Sequence, residues 1–234
     1  MNMIHMLGIL AIVFFSSLLL MCYFRKSLNH SILNPLFIGA CAVCFFCWNY
    51  AAYERGWLED GFMTLENISP FMCTVMLLTP FMSKKIKDVA YSAYAFLALG
   101  MFLALFISPI AKSFSNNQEN ANFLYASEAS SHLVMSLYGF YLILVGKVKL
   151  NLKSLGKAAA FIYSSVLFGV MLNYFFHLDS FGMNMHGEYS IYWLDIFQSF
   201  EATLIAYLVG ILGVLLLGFA TAVFLDEISI EKSE

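Results

Sequence analysis

Three side chains in this sequence have the types that nucleophilic chemistry needs. Cys73 sits in "NISPFMCTVMLLTP", and His132 and Glu128 sit one helical turn apart in "YASEASSHLVMSLYGFYLILVG". A thiol is a weak nucleophile until a base removes its proton, and a nearby imidazole does this and lowers the thiol pKa. A third polar group then fixes the imidazole tautomer, as in cysteine–histidine–asparagine sites. Glu128, Asn173, Glu201 and Asn49 are candidates for that third group, and the sequence does not choose among them. The same set read without the thiol, Glu128, His132 and Glu201, is a proton relay of the kind found in carriers.

These residues lie in apolar stretches, and the composition says why. Of 234 residues, 61% are hydrophobic and 12% are charged, against about 45–50% and about 25% in soluble domains. This is the composition of a polytopic membrane protein. Seven segments approach the roughly 20 residues that a bilayer requires: 3–24, 32–53, 67–83, 88–110, 124–146, 157–178 and 197–225. None shows the alternation of a barrel strand. The expectation is an all-α, seven-helix transmembrane bundle forming a single domain over 1–234. The first segment lacks a positive leader, because its first cation, Arg25, follows the apolar run; it reads as an uncleaved anchor.

Charge orients the chain. Arg25, Lys26, Lys84, Lys85, Lys87, Lys147, Lys149, Lys153, Lys157 and Lys232 fall on one side of a seven-span layout, and only Arg55 and Lys112 on the other. The positive-inside rule places the N-terminus outside and the C-terminus inside. His132 then lies about 12 Å into its span, at 1.5 Å per residue, with Cys73 at nearly the same level. Asn49, Asn173 and Glu201 are expected in the same outer third, as a polar layer lining a cavity.

Several classes are excluded. No basic tract suggests nucleic acid. The five cysteines all lie in apolar stretches, so they are not a disulfide framework. The "CAVCFFC" run has two overlapping CxxC spacings, but inside an apolar helix it reads as packing. A retinal protein needs a lysine in the last span, and none occurs between Lys157 and Lys232. Zinc-dependent membrane hydrolases need about three histidines at one level. His177 and His186 fall near the surface, which leaves His132 alone, so neither metal nor other cofactor is expected.

The order of "NISPFMCTVMLLTP", "AYAFLALGMFLALFISP", "SSHLVMSLYGFYLI" and "GKAAAFIYSSVLFGVMLNYFF…FGMNMHG" resembles the bacterial YwaF-type integral membrane proteins. These are similar in turn to the eukaryotic transmembrane-protein-164 acyltransferases and, more distantly, to the androgen-induced-gene lipid hydrolases. The resemblance covers nearly the whole chain. It implies a helical transmembrane bundle in a bacterial cytoplasmic membrane, acting on a membrane lipid or acyl chain. It also implies Cys73 as nucleophile, His132 as base, and Asn173 and Asn184 as the downstream asparagines. The chain departs from the family's Leu-Pro-Leu-polar-Leu-Cys signature. It reads Ile68-Ser69-Pro70-Phe71-Met72-Cys73, with the proline displaced and Phe71 in the polar position. The expectation is therefore a lipid-active acyltransferase or hydrolase; the alternatives are a proton-coupled small-solute transporter and a non-catalytic accessory protein.

Overall fold

The structure is a computed structural model that describes residues 3–54, 68–107, 119–176, 181 and 199–231. Among these residues there are seven α-helices and no strand. They are α1 (Met3–Tyr23), α2 (His30–Tyr53), α3 (Ile68–Leu78), α4 (Lys84–Ile107), α5 (Glu119–Leu144), α6 (Leu152–Phe176) and α7 (Phe200–Glu231). A 3-10 turn, Thr79–Phe81, extends α3. Each expected segment falls on one helix. The helices outrun the apolar stretches where charged residues continue the backbone hydrogen bonding: α4 begins four residues early at Lys84, α6 begins at Leu152 rather than 157, and α7 runs on to Glu231 rather than 225.

Among the described residues, four stretches are long and apolar enough to cross a membrane: His30–Tyr53, Lys84–Leu105, Leu152–Phe176 and Phe200–Glu227. Leu7–Tyr23 and Ile68–Phe81 are shorter apolar helices. The outer surface fits an integral membrane protein. Ile12, Leu19, Phe46, Phe168, Ile205 and Phe224 all stand exposed, where a soluble monomer seldom carries a large continuous apolar surface.

The centre of the bundle is the α4–α5 pair. α4 packs on α5, α6 and α7, while α2 and α1 pack on α5 and α3 lies against α2, α4 and α5. α4 is buried continuously from Ala90 to Ala98. Small residues allow this closeness: a methyl group at Gly139 of α5 would collide with the Tyr94 carbonyl of α4, and one at Gly218 of α7 with the Phe96 carbonyl. Helices in lipid gain no hydrophobic push toward one another, so close van der Waals fit and interhelical hydrogen bonds hold them. The Ser136 hydroxyl donates to the Ala98 carbonyl at 2.6 Å and the Tyr138 hydroxyl to Asn34 Oδ1 at 2.7 Å. The Tyr94 hydroxyl donates to the Met72 carbonyl, which ties α4 to α3.

One end of the bundle is closed by Arg25. Its Nε donates to the Leu144 carbonyl at 2.8 Å and its Nη2 to Asp226 Oδ1 at 2.7 Å. The α1–α2 connection, the last turn of α5 and the last turns of α7 therefore meet at one end. α5 stops there because Gly146 takes φ +67°. Its N–H bonds the Ile143 carbonyl and the Lys147 N–H bonds the Leu142 carbonyl, both at 2.9 Å. This is the left-handed glycine cap that satisfies a helix's last carbonyls. His30 Nδ1 meets the Tyr141 hydroxyl at 2.8 Å at the same end.

Candidate functional site

Side-chain contacts fix the register of the central helices. Ser136 and Gly139 of α5 face Ala98 and Tyr94 of α4, and Val214 and Gly218 of α7 face Gly100 and Phe96. Met101 of α4 is thus level with His132 on α5 and with about residue 213 on α7. α3 enters this level with Ser69, whose hydroxyl lies 3.8 Å from the Met101 sulfur.

His132 is buried, and both of its ring nitrogens are engaged. Nδ1 lies 2.9 Å from the Glu128 backbone carbonyl, one turn back on the same helix, and Nε2 lies 2.7 Å from Ser69 Oγ. A carbonyl can only accept, so Nδ1 carries the proton. Nε2 of the neutral ring then offers its lone pair, and the Ser69 hydroxyl donates to it. The result is a serine–histidine dyad whose tautomer is set by a backbone carbonyl. The Trp48 ring of α2, also buried, has its centroid 6.2 Å from the imidazole and walls that side.

Cys73 stands one turn further along α3, on the same face as Ser69 because the two are four residues apart. It is fully buried, and its Sγ lies 3.6 Å from Met135 Sδ. Its other neighbours are the Cys41 thiol and the Ser131 hydroxyl. The expected thiol–imidazole pair is thus replaced in the structure by a hydroxyl–imidazole pair, with the thiol one turn closer to the Arg25 end. The physical reason is reach: His132 points toward the start of α5, as helix side chains do, and meets α3 at its second described residue.

The other candidates separate. Glu128 is half-buried and contributes its carbonyl to the dyad. Asn49 Nδ2 donates to the Phe45 carbonyl of its own helix at 2.8 Å. Glu201 is exposed, and it lies twelve residues up α7 from the level of His132, about 18 Å. Asn173 is buried, but on α6 it lies ten residues beyond Tyr163, whose hydroxyl bonds the Leu208 carbonyl at 2.9 Å. That also places it more than about 15 Å from the dyad along the helix axes. The single polar layer expected across five helices is therefore two levels, because α6 and α7 continue well past the dyad. Asn184, His177 and His186 lie outside the described residues.

The residue missed in the sequence is Ser69. Its only signal is the four-residue spacing to Cys73, and serine is too common in helices for that spacing to single it out. Comparison of the chain with protein-family models, with curated proteins and with solved structures finds no match.

Proposed function

We propose that this chain is a seven-crossing integral membrane enzyme that transfers or hydrolyses acyl groups of membrane lipid, with Ser69 as nucleophile and His132 as general base. The observation that carries this reading is the 2.7 Å contact between Ser69 Oγ and His132 Nε2, with Nδ1 held on the Glu128 carbonyl. That arrangement is the first requirement of an activated hydroxyl: nucleophile on base, base on an orienting acceptor. In the reaction, Ser69 Oγ adds to an ester carbonyl as its proton passes to Nε2. The imidazolium returns that proton to the departing alcohol, leaving an acyl-serine. Water or a second alcohol repeats the exchange and frees Ser69.

Depth supports a lipid substrate. His132 lies twelve residues from Leu144, about 18 Å above the Arg25 clasp. Within a hydrocarbon core of about 30 Å, that leaves about 12 Å to the opposite face, within reach of a lipid ester that dips below the headgroups. Ten of the twelve Lys and Arg residues fall on the clasp side of the seven-crossing layout, which makes that side cytoplasmic under the positive-inside rule. The N-terminus then lies outside, and the dyad sits nearer the outer than the inner leaflet of a bacterial cytoplasmic membrane.

The test is labelling of the purified protein with a long-chain alkyl fluorophosphonate, followed by peptide mapping. The adduct is expected on Ser69, lost in His132→Ala and kept in Cys73→Ala. An adduct that maps to Cys73 instead, with a lipid-like thiol electrophile, would move the nucleophile to the thiol that the family resemblance implies. Absence of a His132-dependent adduct at either residue would sink the enzymatic reading. Proton-driven uptake into proteoliposomes, lost in Glu201→Gln, would then favour the carrier.

A further inference from the structure

Trp48 of α2 stands against the dyad and has no task in the reaction above. It is 4% exposed. Its ring centroid is 6.2 Å from the His132 imidazole, at 45°, and 6.2 Å from the Phe45 ring, at 75°. Among the described residues its indole N–H has no hydrogen-bond acceptor; ring contacts are the interactions it makes. A buried tryptophan usually places that N–H on a partner, and about nine in ten or more buried polar groups are satisfied. An open donor beside a nucleophile and its base suits an acceptor that arrives with the substrate.

Acyl transfer requires such a donor. As a hydroxyl adds to an ester, the carbonyl oxygen takes up negative charge, and preformed N–H groups aimed at it stabilise the transition state. A frequent source is the backbone N–H of the residue after the nucleophile. Here that residue is Pro70, which has no N–H to give. Polar side chains next in sequence to the site are engaged elsewhere. The Ser131 hydroxyl donates to the Ser127 carbonyl at 2.9 Å, and Asn49 Nδ2 to the Phe45 carbonyl at 2.8 Å.

The geometry points to the Trp48 indole N–H as the oxyanion donor of the site, the group that receives the carbonyl oxygen of the lipid ester. This rests on the acyl-transfer reading and adds the substrate-binding group that the dyad lacks. Approach supports it. α2 begins at the clasp end of the bundle, and α5 ends there. Helix side chains lean toward the start of their own helix. His132 therefore reaches away from the clasp, and Trp48 reaches down toward it, meeting the imidazole from the side nearer the headgroups. In the reaction, Ser69 Oγ bonds the carbonyl carbon, its proton passes to His132 Nε2, and the carbonyl π pair moves onto oxygen. That oxygen accepts the Trp48 N–H, and no proton leaves the indole. When the alcohol departs with the proton from Nε2, the pair re-forms the carbonyl and the hydrogen bond weakens.

The experiment uses the long-chain alkyl fluorophosphonate, whose phosphoryl oxygen stands in for the carbonyl oxygen. Trp48→Phe keeps an aromatic wall and removes the N–H. Its maximal labelling rate at Ser69 should fall at least about 10²-fold, the usual effect of losing one oxyanion donor. The reagent concentration for half-maximal rate should change less than about threefold, because the lost bond belongs to the transition state. A second measurement needs no variant to fold. In protein labelled with ¹⁵N-tryptophan, one of the three indole N–H resonances should move downfield as the adduct forms, and assignment by single Trp→Phe changes should place it at Trp48. Labelling of Trp48→Phe at the wild-type rate, a change in half-maximal concentration alone, or a Trp48 resonance that stays put in the adduct would each overturn the donor while leaving Ser69 and His132 in place. A wild-type protein that takes no adduct at Ser69 would overturn the acyl-transfer reading itself, and the donor with it.

Discussion

At the scale of single residues, the decisive pair is a hydroxyl and an imidazole on different helices. Two explanations compete for a buried interhelical hydrogen bond of this kind. As structural glue it contributes about 0.6 kcal/mol on average in a membrane bundle, and losing it is a stability matter alone. As a catalytic pair it sets reactivity, and general-base assistance contributes about 10²–10⁴-fold. Ser69→Ala and His132→Ala should therefore remove phosphonate labelling entirely, or slow it by at least about 10²-fold, while the apparent unfolding temperature moves little. Loss of reactivity only in step with loss of folded protein would return the bond to glue. Glu128 gives a sharper discrimination. The imidazole rests on its backbone carbonyl at 2.9 Å, so Glu128→Gln should label within about threefold of wild type, well below the effect of removing a general base. A carboxylate-dependent site would lose far more. Labelling kinetics of this one variant separates the two.

At the scale of elements, the dyad depends on how α4 and α5 meet, because Ser69 of α3 touches Met101 of α4 as well as His132 of α5. Gly139 sets the α4–α5 approach and Gly218 the α4–α7 approach, since either would meet a facing carbonyl if it carried a Cβ. Gly139→Leu must displace α4 or α5 bodily. Overpacking of this kind costs about 1–3 kcal/mol or more. Ser136→Ala removes one bond to the Ala98 carbonyl and leaves the helices in place; its cost should be nearer about 0.6 kcal/mol. Unfolding in mixed detergent micelles should rank the glycine variant well below the serine one, and the reverse order would deny the close α4–α5 contact. The sequence made the helices legible, because runs of about 20 apolar residues are forced by bilayer thickness. It made Cys73 and His132 neighbours in level, which the i, i+4 relation of Ser69 and Cys73 preserves. It did not reveal the partner of His132, because which turn of α3 faces α5 is a matter of packing, such as Met101 against Ser69, that leaves no chemical signature in the sequence. Nor did it reveal that α6 and α7 overshoot the dyad. A hydropathy run marks where lipid contact ends, whereas a helix continues for as long as its backbone is satisfied, which parted Asn173 and Glu201 from the rest.

At the scale of the molecule, one cation joins three parts of the chain, and its energetics differ from those of an ordinary surface pair. Arg25 is about one quarter exposed and Asp226 about one third (24% and 35% for the side chains), and the same guanidinium also serves the Leu144 carbonyl. Exposed ion pairs contribute about 0–1 kcal/mol. Removing Arg25, however, takes a donor from both a carboxylate and a helix-terminal carbonyl, whereas Asp226→Asn disturbs only the first of these bonds, so Arg25→Gln should destabilise more than Asp226→Asn. A double variant should cost less than the sum of the two singles, and strict additivity in detergent unfolding would deny the clasp. The clasp also carries the proposed orientation, since it sits among the cations. In a chain whose native cysteines are replaced by serine or alanine, a cysteine placed at Lys149, beside the clasp, should react with a membrane-impermeant maleimide only in inverted vesicles. One placed at Glu201, about 18 Å beyond the dyad level and exposed, should react only in intact cells. Opposite sidedness at these two positions is what an odd number of crossings between the start of α6 and the start of α7 requires. Reaction of both from the same face would break the alternation of helices, and reversed sidedness would turn the site toward the cytoplasmic leaflet and change which lipids it meets.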